Sequence, residues 1–465
     1  MNRNPMSKIE SANWHKDIAH VVHPYSNLDA HATRGPTVIT RGEGCYIYDE
    51  QGKRYFEGMS GLWCAALGFS EKRLVRAATD QLNVLPYYHM FNHRSHPPGI
   101  ALAEALTAMA PAGLNHVLFA NSGSEANDAA VKLVWYYNNA LGRPQKKKII
   151  SRWNGYHGVT VASGSLTGLG HVHLDFDLPI ASILHTDCPS YYHFGQPGES
   201  EAAFVDRIAN NLEQMILKEG PETVAAFIAE PINGSGGVIV PPAGYFERVQ
   251  AILKKHDVLF IVDEVICGFG RTGNMFGSDS FQLKPDMMTV AKGLSAAYQP
   301  ISGLLLTDAI HEGMKTESRK LGVFAHGLTY AAHPVAAAVA LETLKIYQER
   351  NIVEHVRKVA PHLFARLNPL KEHPLVGEVR GMGFLAAVEI VADKAGKKPF
   401  PPTAAMGAWI QARAMEYGVI VRAIGNCIAM CPPLISEPQH IDELVDGLAR
   451  ALDDALVHAR HNKLI

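Results

Sequence analysis

The sequence lacks the features that mark several specialised classes of protein. Its 465 residues contain no uninterrupted apolar run of about 20 residues, the length that a helix needs to span a bilayer. Residues 1–20 contain no apolar core typical of a signal peptide. The formal net charge is only -2, and the three lysines at 146–148 form a short basic cluster. We therefore expect no membrane span and no nucleic-acid-binding surface.

Cysteine is also scarce, and no metal-binding spacing is present. The six cysteines are scattered, which argues against a disulfide framework and favours reduced thiols in the cytoplasm. Cys427 and Cys431 are close in sequence, but no second cysteine or histidine pair of zinc-finger spacing accompanies them. The 23 histidines include no H-E-x-x-H pattern. The sequence therefore predicts no metal site.

What the sequence does contain is an alternation of short apolar runs and amphipathic stretches between residues 115 and 310. Near-continuous runs of Val, Ile, Leu and Phe between helices indicate an α/β domain with a mostly parallel sheet, covered on both faces. The predicted strands are 116–120, 147–153, 224–230, 258–265, 287–292 and 301–307.

The remaining parts of the chain predict a second, smaller α+β unit. Residues 38–58 resemble a hairpin, and the last third begins with a long helix at 333–350. We expect a large domain over 61–332, a small C-terminal domain over 333–465, and an N-terminal segment, 1–60, that contributes to the small domain. The other elements predicted in the last third are strand 376–391, helix 404–418, strand 419–424 and helix 438–460.

The first predicted strand ends in a turn rich in small residues, "NSGSEAND" at 121–128, which opens a helix. In an open α/β sheet, ligands bind outside the carboxyl ends of the strands. Backbone N–H groups at a helix start, with the hydroxyls of Ser122 and Ser124, could bind a phosphate. The same residues could equally form an ordinary helix cap without any ligand.

Other strand ends deliver an aromatic ring, a carboxylate and an amine. Asp263 closes one apolar strand, where it could be catalytic or pair with Arg271. Lys292 ends the next, where it could be a nucleophile or a solvated strand edge. Tyr156 and His157 follow a third strand. Together these groups are the set that pyridoxal phosphate requires: anion donors, a ring face, a carboxylate for its nitrogen and a Schiff-base lysine.

At this point the whole chain resembles the class III (ω-) aminotransferases of fold type I. The resemblance implies pyridoxal 5'-phosphate as cofactor and a homodimer or homotetramer with active sites shared between subunits. The motifs that carry it are "FANSGSEAND" (119–128), "YHG" (156–158), "AAFIAEP" (225–231), "FIVDEVICGFGRTG" (260–273), "PDMMTVAKGLS" (285–295), "GLTYAAHP" (327–334) and "VRGMG" (379–383).

The resemblance also implies a role for each matching residue. Lys292 forms the Schiff base and moves the proton, and Asp263 keeps the pyridine nitrogen protonated. Tyr156 and Val265 lie on opposite faces of the ring. The other residues expected near the cofactor are Ser122, Gly123, Ser124 and the neighbouring subunit's Thr329 at the phosphate, His157 beside the ring, and Glu230 and Arg271 as supporting partners.

Two departures from family patterns bear on the substrate. Ile266 stands where ornithine, acetylornithine and 4-aminobutyrate:2-oxoglutarate aminotransferases have Gln. Ser235 stands where the ornithine and 4-aminobutyrate types have a Glu that holds a mobile arginine. Arg422 matches the mobile arginine of the pyruvate-using group, although Asn426 follows where Asp is usual. The other expected pocket residues are Tyr25, Trp63, Phe91 from the partner subunit, and His171, for which ordinary packing is the alternative.

The sequence therefore predicts transfer of an amino group from an amine or ω-amino acid to pyruvate. Three alternatives stay open: a 4-aminobutyrate aminotransferase that uses 2-oxoglutarate, an enzyme of the same fold with another reaction (an aminomutase or a dialkylglycine-type decarboxylase), and a non-catalytic cofactor-binding protein.

Overall fold

The structure, a computed structural model, describes residues 11–465. In that range the strands are β1 Ile39–Glu43, β2 Tyr46–Asp49, β3 Arg54–Glu57, β4 Leu114–Ala120, β5 Lys148–Arg152, β6 Ile183–Thr186, β7 Val224–Ala229, β8 Leu259–Asp263, β9 Met287–Val290, β10 Ser302–Thr307, β11 Val376–Met382, β12 Leu385–Asp393, β13 Lys398–Pro399, β14 Val419–Ile420, β15 Arg422–Ile424 and β16 Cys427–Met430.

Helices connect and cover these strands. The α-helices are α1 Ala12–His20, α2 Leu28–Arg34, α3 Ser60–Trp63, α4 Lys72–Val84, α5 Pro97–Met109, α6 Gly123–Ala140, α7 Val161–Leu166, α8 Gly170–His173, α9 Tyr191–Phe194, α10 Glu201–Glu219, α11 Tyr245–Lys255, α12 Gly277–Phe281, α13 Asp308–Leu321, α14 Pro334–Glu349, α15 Ile352–Leu367, α16 Met406–Glu416 and α17 Pro438–His461; short 3₁₀ helices occupy Lys292–Ser295, Asn368–Glu372 and Pro402–Ala404.

The largest sheet has seven strands in the order β4-β10-β9-β8-β7-β5-β6. β10 pairs antiparallel with both of its neighbours, and the other pairings are parallel. The predicted mostly parallel α/β sheet is confirmed. β6 was not among the predicted strands, because it lies at the sheet edge and two of its four residues are only half-buried.

Helices cover both faces of this sheet. Phe227 packs with residues of α10 and α11, whereas its neighbours Ala226 and Ile228 pack with residues of α6. Because successive side chains of a strand point to opposite faces, β7 is buried at every position. This double burial explains why the strands appear in the sequence as continuous apolar runs.

Two smaller sheets contain the remaining strands, in the orders β1-β2-β3-β14 and β11-β12-β16-β15, with β13 paired to β12. The predicted single strand 419–424 is wrong. β14 pairs in parallel with β3, while β15 pairs antiparallel with β16, so the chain changes sheets at the buried Val421. The predicted strand 376–391 is likewise a hairpin, β11 and β12, which reverses at Gly383 with φ +59°.

Pairing of β14 with β3 joins the N-terminal sheet to the C-terminal part of the chain. Phe56 and Val419 are register partners, and both belong to the large apolar core that contains residues of α15 and α17. The proposed domain boundaries at residues 60 and 332 stay predictions. No helix within residues 11–465 is both long and apolar enough to cross a bilayer.

Candidate active site

A cavity of about 130 Å³ lies at the carboxyl edge of the large sheet. The loops that follow β4, β5, β7, β8 and β9 all reach it, as expected for strands that run in the same direction. The lining residues are Gly123, Ser124, Asn127, Tyr156, His157, Gly158, Glu230, Asp263, Val265, Ile266, Ala291 and Lys292.

Asp263 is the carboxylate at the base of this cavity, and it is only 2% exposed. Its Oδ2 accepts hydrogen bonds from His157 Nδ1 at 2.8 Å and Asn127 Nδ2 at 2.8 Å, and Oδ1 accepts from the Val265 N–H at 3.0 Å. Burial opposes ionisation, but these hydrogen bonds, led by that of His157, hold the pKa of Asp263 below its ordinary value. The alternative of a pair with Arg271 is wrong, because that guanidinium donates to the Pro432 carbonyl.

Lys292 reaches the same cavity because β8 and β9 are parallel neighbours. Asp263 is the register partner of Thr289, so Lys292 lies three residues beyond that pairing, past the end of β9. Its φ of +47° turns the chain out of the strand and into a short 3₁₀ helix. Burial lowers the pKa of Lys292 below that of a free lysine, which favours the neutral, nucleophilic amine.

Glu230 fixes the loop that carries Tyr156. Its Oε1 accepts from the Tyr156 N–H at 2.9 Å and its Oε2 accepts from the Gly234 N–H at 2.9 Å. These are hydrogen bonds to backbone, in agreement with the supporting role expected from the sequence. Burial and a hydrogen bond with Tyr25 raise the pKa of Tyr156, so its ring presents a neutral aromatic face to the cavity.

The start of α6 combines a helix cap with an opening into the cavity. Ser122 Oγ accepts from the Glu125 N–H, and the Glu125 carboxylate accepts from the Ser122 N–H, which completes a capping box. Ser122 is exposed and does not line the cavity, whereas Gly123 and Ser124 do. Ser122 therefore forms an ordinary helix cap, whereas phosphate binding by Gly123 and Ser124 stays a prediction.

Glycine keeps space open beside this helix start. A Cβ on Gly123 would lie 3.2 Å from both methyl groups of Val265, and one on Gly158 would lie 2.4 Å from Ser124 Oγ. Backbone N–H groups can approach an anion closely only where no side chain intervenes. A cradle of this kind, with the buried carboxylate, the lysine and the aromatic face, fits pyridoxal phosphate.

Replacing Gly158 with alanine is expected to lower the free energy of unfolding by about 2–3 kcal/mol, because φ is +132° and the new methyl group would clash. Urea unfolding of the cofactor-loaded protein measures this. Gly142→Ala is the matched control, since φ there is +69° but no heavy atom lies within 4 Å of the added Cβ. The control should lose about 1 kcal/mol from backbone strain alone. Equal losses in the two variants would show that Gly158 is not closely packed.

Two predicted substrate residues, Tyr25 and Arg422, lie near Tyr156. Tyr25 is 58% exposed, helps to raise the pKa of Tyr156 and meets His171 edge-on, with ring centroids 6.3 Å apart. Arg422, half-buried on β15, is near enough for its charge to moderate the raised pKa of Tyr156. Trp63 is buried in the same apolar cluster as Ile266, which lines the cavity, and its role as a pocket wall stays a prediction.

Phe91 and Thr329 lie away from the cavity of their own subunit. Phe91 is 42% exposed, and a Cβ on Gly327 would lie 2.8 Å from its ring. Thr329 is exposed, and its carbonyl accepts from the Tyr87 hydroxyl at 2.9 Å. The two residues therefore belong to one surface region, and their expected contribution to a neighbouring subunit's site stays a prediction.

Asn127 is the main cavity residue that sequence reasoning missed. It holds Asp263 and also donates to the His157 carbonyl at 2.7 Å. A signal was present, because Asn127 follows Gly123 by four residues and therefore lies on the same face of α6. Gly158 was noted only within a motif, and Ala291 gave no separate signal.

With this geometry established, comparison with known proteins decides the family. The Aminotransferase class-III family model matches residues 28–452. This chain belongs to the class-III aminotransferases. They are fold type I enzymes, so its cofactor is pyridoxal phosphate and it acts on an amino donor and a keto-acid acceptor.

Individual relatives agree with this assignment. The chain is 54% identical to gamma aminobutyrate transaminase 3, chloroplastic, of Solanum lycopersicum, over 90% of this chain and 81% of that protein. The omega transaminase of Pseudomonas jessenii in complex with PMP is 54% identical, with a TM-score of 0.95 over 96% of this chain and 98% of that one.

A third relative is a thermostable omega transaminase variant engineered for asymmetric synthesis of enantiopure bulky amines. It carries substitutions at one tryptophan, one phenylalanine and one arginine. It is 53% identical to this class-III aminotransferase, with a TM-score of 0.95 over 96% of this chain and 99% of that one.

Proposed function

We propose that this aminotransferase transfers an amino group from an amine or ω-amino acid to pyruvate. The observation that carries the proposal is the placement of Arg422, which is half-buried on β15 and near enough to Tyr156 for its charge to act on the pKa of that residue. A guanidinium there can bind a small carboxylate bidentately. Ile266 lines the cavity where 2-oxoglutarate-specific branches have Gln, and this apolar side chain offers no group to a second carboxylate.

The chain's own residues would divide the work as follows. Pyridoxal phosphate supplies an electron-withdrawing ring that stabilises a carbanion once its nitrogen is protonated. Asp263, kept ionised by His157 and Asn127, would hold that proton. Lys292 Nζ would release the cofactor to the incoming amine and then carry the proton between substrate carbon and cofactor.

Binding and orientation would fall to the cavity walls. Tyr156 and Val265 would flank the ring, while Gly123 and Ser124 would bind the phosphate. The hydroxyl of Ser122 accepts the Glu125 N–H, and its own N–H donates to the Glu125 carboxylate, so Ser122 would contribute at most its hydroxyl proton. Thr329 of a neighbouring copy would complete the phosphate site in a homodimer or homotetramer.

The engineered relative supports the pocket assignment. Its substituted tryptophan, phenylalanine and arginine have the same separations along its chain as Trp63, Phe91 and Arg422 have in this one. In that protein the three substitutions were part of a variant made for bulky amines. We infer that Trp63 and Phe91 limit the size of the amine here and that Arg422 contacts the acceptor.

A 4-aminobutyrate aminotransferase is the second candidate, and the identity to the tomato enzyme favours that donor. If 4-aminobutyrate is the donor, the two candidates differ in the keto-acid acceptor, which is pyruvate in the first and 2-oxoglutarate in the second. A panel of amines, including 4-aminobutyrate, assayed with pyruvate and with 2-oxoglutarate separates them. Faster turnover with 2-oxoglutarate than with pyruvate would overturn the proposal. Loss of the donor's carboxylate as CO₂, or migration of its amino group, would instead indicate the decarboxylase or aminomutase alternative.

Replacing Arg422 with alanine should weaken pyruvate and alanine far more than a donor without a carboxylate. A lost bidentate, charge-assisted contact costs about 1.5–3 kcal/mol, roughly one to two decades in kcat/KM. Steady-state kinetics with each substrate varied in turn measure the difference. Arg422→Lys is the control, because it keeps the charge and should recover part of the loss. Equal losses in both half-reactions, or none, would remove Arg422 as the carboxylate-binding group.

The location of the protein also stays a proposal. All six cysteines are free of disulfide bonds, which fits a reducing compartment such as the cytoplasm. The tomato relative is named as chloroplastic. Fractionation of cells that express the natural gene would decide between the cytoplasm and an organelle.

A further inference from the structure

A cluster of one carboxylate and two imidazoles lies near the N-terminus, outside the cavity already described. Asp17 Oδ1 lies 2.8 Å from His23 Nε2 and 3.0 Å from His31 Nε2. The two imidazole rings are stacked, with centroids 4.0 Å apart. Within residues 11–465 this is the one place where three His, Cys, Asp or Glu ligand atoms lie within 4.8 Å of one another.

We propose that Asp17, His23 and His31 bind a divalent transition-metal ion, with Zn²⁺ as the best match. Two imidazole nitrogens and one carboxylate oxygen are a common zinc ligand set, which leaves the fourth position to water. Ligand atoms about 2.1 Å from a tetrahedral zinc ion are about 3.4 Å apart. The two imidazole nitrogens, at 2.8 Å and 3.0 Å from Asp17 Oδ1, need to move away from it by about 0.6 and 0.4 Å to admit the ion.

The side chains are partly withdrawn from water, which favours a defined site over loose surface binding. The exposed fractions are 22% for Asp17, 28% for His23 and 13% for His31. The Asp17 carboxylate accepts a hydrogen bond from each of the two imidazoles. Metal binding would replace the imidazole protons now directed at that carboxylate.

The site would join two short helices, α1 and α2. α1 and α2 are nine and seven residues long, and neither buries any residue within the described chain. Helices this short are marginal without tertiary contacts. Asp17 lies in α1, His31 lies in α2, and His23 lies between them. An ion at this point would tie together the two ends of the segment that contains Tyr25.

Zinc binding to the chelator-treated enzyme, with pyridoxal phosphate bound, tests the proposal. Isothermal titration with Zn²⁺ would be run on the wild type, on Asp17→Asn, His23→Ala and His31→Ala, and on His20→Ala. His20 is an exposed histidine in the last turn of α1, so its variant is the matched control for zinc bound elsewhere. We expect one high-affinity ion per chain, lost or weakened at least about tenfold in the three ligand variants and unchanged in the control.

Limited trypsin digestion supplies a second readout, since Lys16 and Arg34 flank the cluster. With zinc at 100 times its Kd, local opening should fall by up to about 100-fold. Cleavage at these sites should slow accordingly in the wild type and in His20→Ala, and not in the three ligand variants. The Tm of each variant without zinc shows that it is folded. The proposal is overturned if the wild type binds no more zinc than the His31→Ala variant, or if all three ligand variants keep wild-type affinity.

Discussion

Replacing Lys292 with alanine is expected to reduce transamination by about a thousandfold or more while the protein still binds pyridoxal phosphate. The effect is large because Lys292 would serve two functions, as the nucleophile and as the proton carrier. Its nitrogen lies in a buried cavity where the pKa of Lys292 is lowered, so no solvent base can take its place efficiently. Binding should survive, since the cavity's other groups do not depend on this side chain.

Two measurements check this expectation. Turnover with an amine and pyruvate gives the loss of rate, and absorbance after gel filtration shows whether the cofactor stays bound. Lys284→Ala is a matched control, because Lys284 is exposed in the loop before β9 and should keep wild-type turnover. If the Lys292 variant retains turnover within tenfold of the wild type, Lys292 is not the catalytic lysine.

Replacing Asp263 with asparagine should lower turnover by about 10²–10³-fold with little change in fold. The replacement amide has nearly the same shape and can still accept from His157 or from the Val265 N–H. It is neutral, however, and cannot hold a positive charge on the cofactor nitrogen. Because the pKa of Asp263 is lowered in the folded protein, the wild-type carboxylate also adds stability above its unfolded pKa, and this stability is lost as pH falls through the lower folded pKa.

A half-buried carboxylate at the start of β9 gives the control for this variant. Asp286 precedes β9 at the opposite end, and its Oδ2 accepts from the Phe260 N–H at 2.8 Å. Asp286→Asn should affect stability but leave kcat near that of the wild type. If Asp263→Asn were fully active once folded, the role of Asp263 would be structural, and the comparison of the two variants would show it.

The local sequence was sufficient to predict those strands and turns whose pattern does not depend on their neighbours. The runs that became β7, β8 and β9 are almost entirely apolar because both faces of the sheet are covered, so predicting them as strands did not require knowing their neighbours. The same reasoning failed at 419–424. Two residues pair with β3 and three pair with β16, and nothing in the alternation of that stretch distinguishes one sheet from another.

For the site, the sequence shows which chemical groups are present, and the structure shows which of them contact one another. The sequence by itself determined which strand ends carry an amine, a carboxylate, an aromatic ring and a helix start, because each motif is contiguous. Only the tertiary structure decided that Asp263 is held by His157 and Asn127, with Arg271 directed elsewhere. These contacts join residues more than a hundred positions apart. Strand order and direction fix such distances, and strand order is a property of how the whole sheet packs.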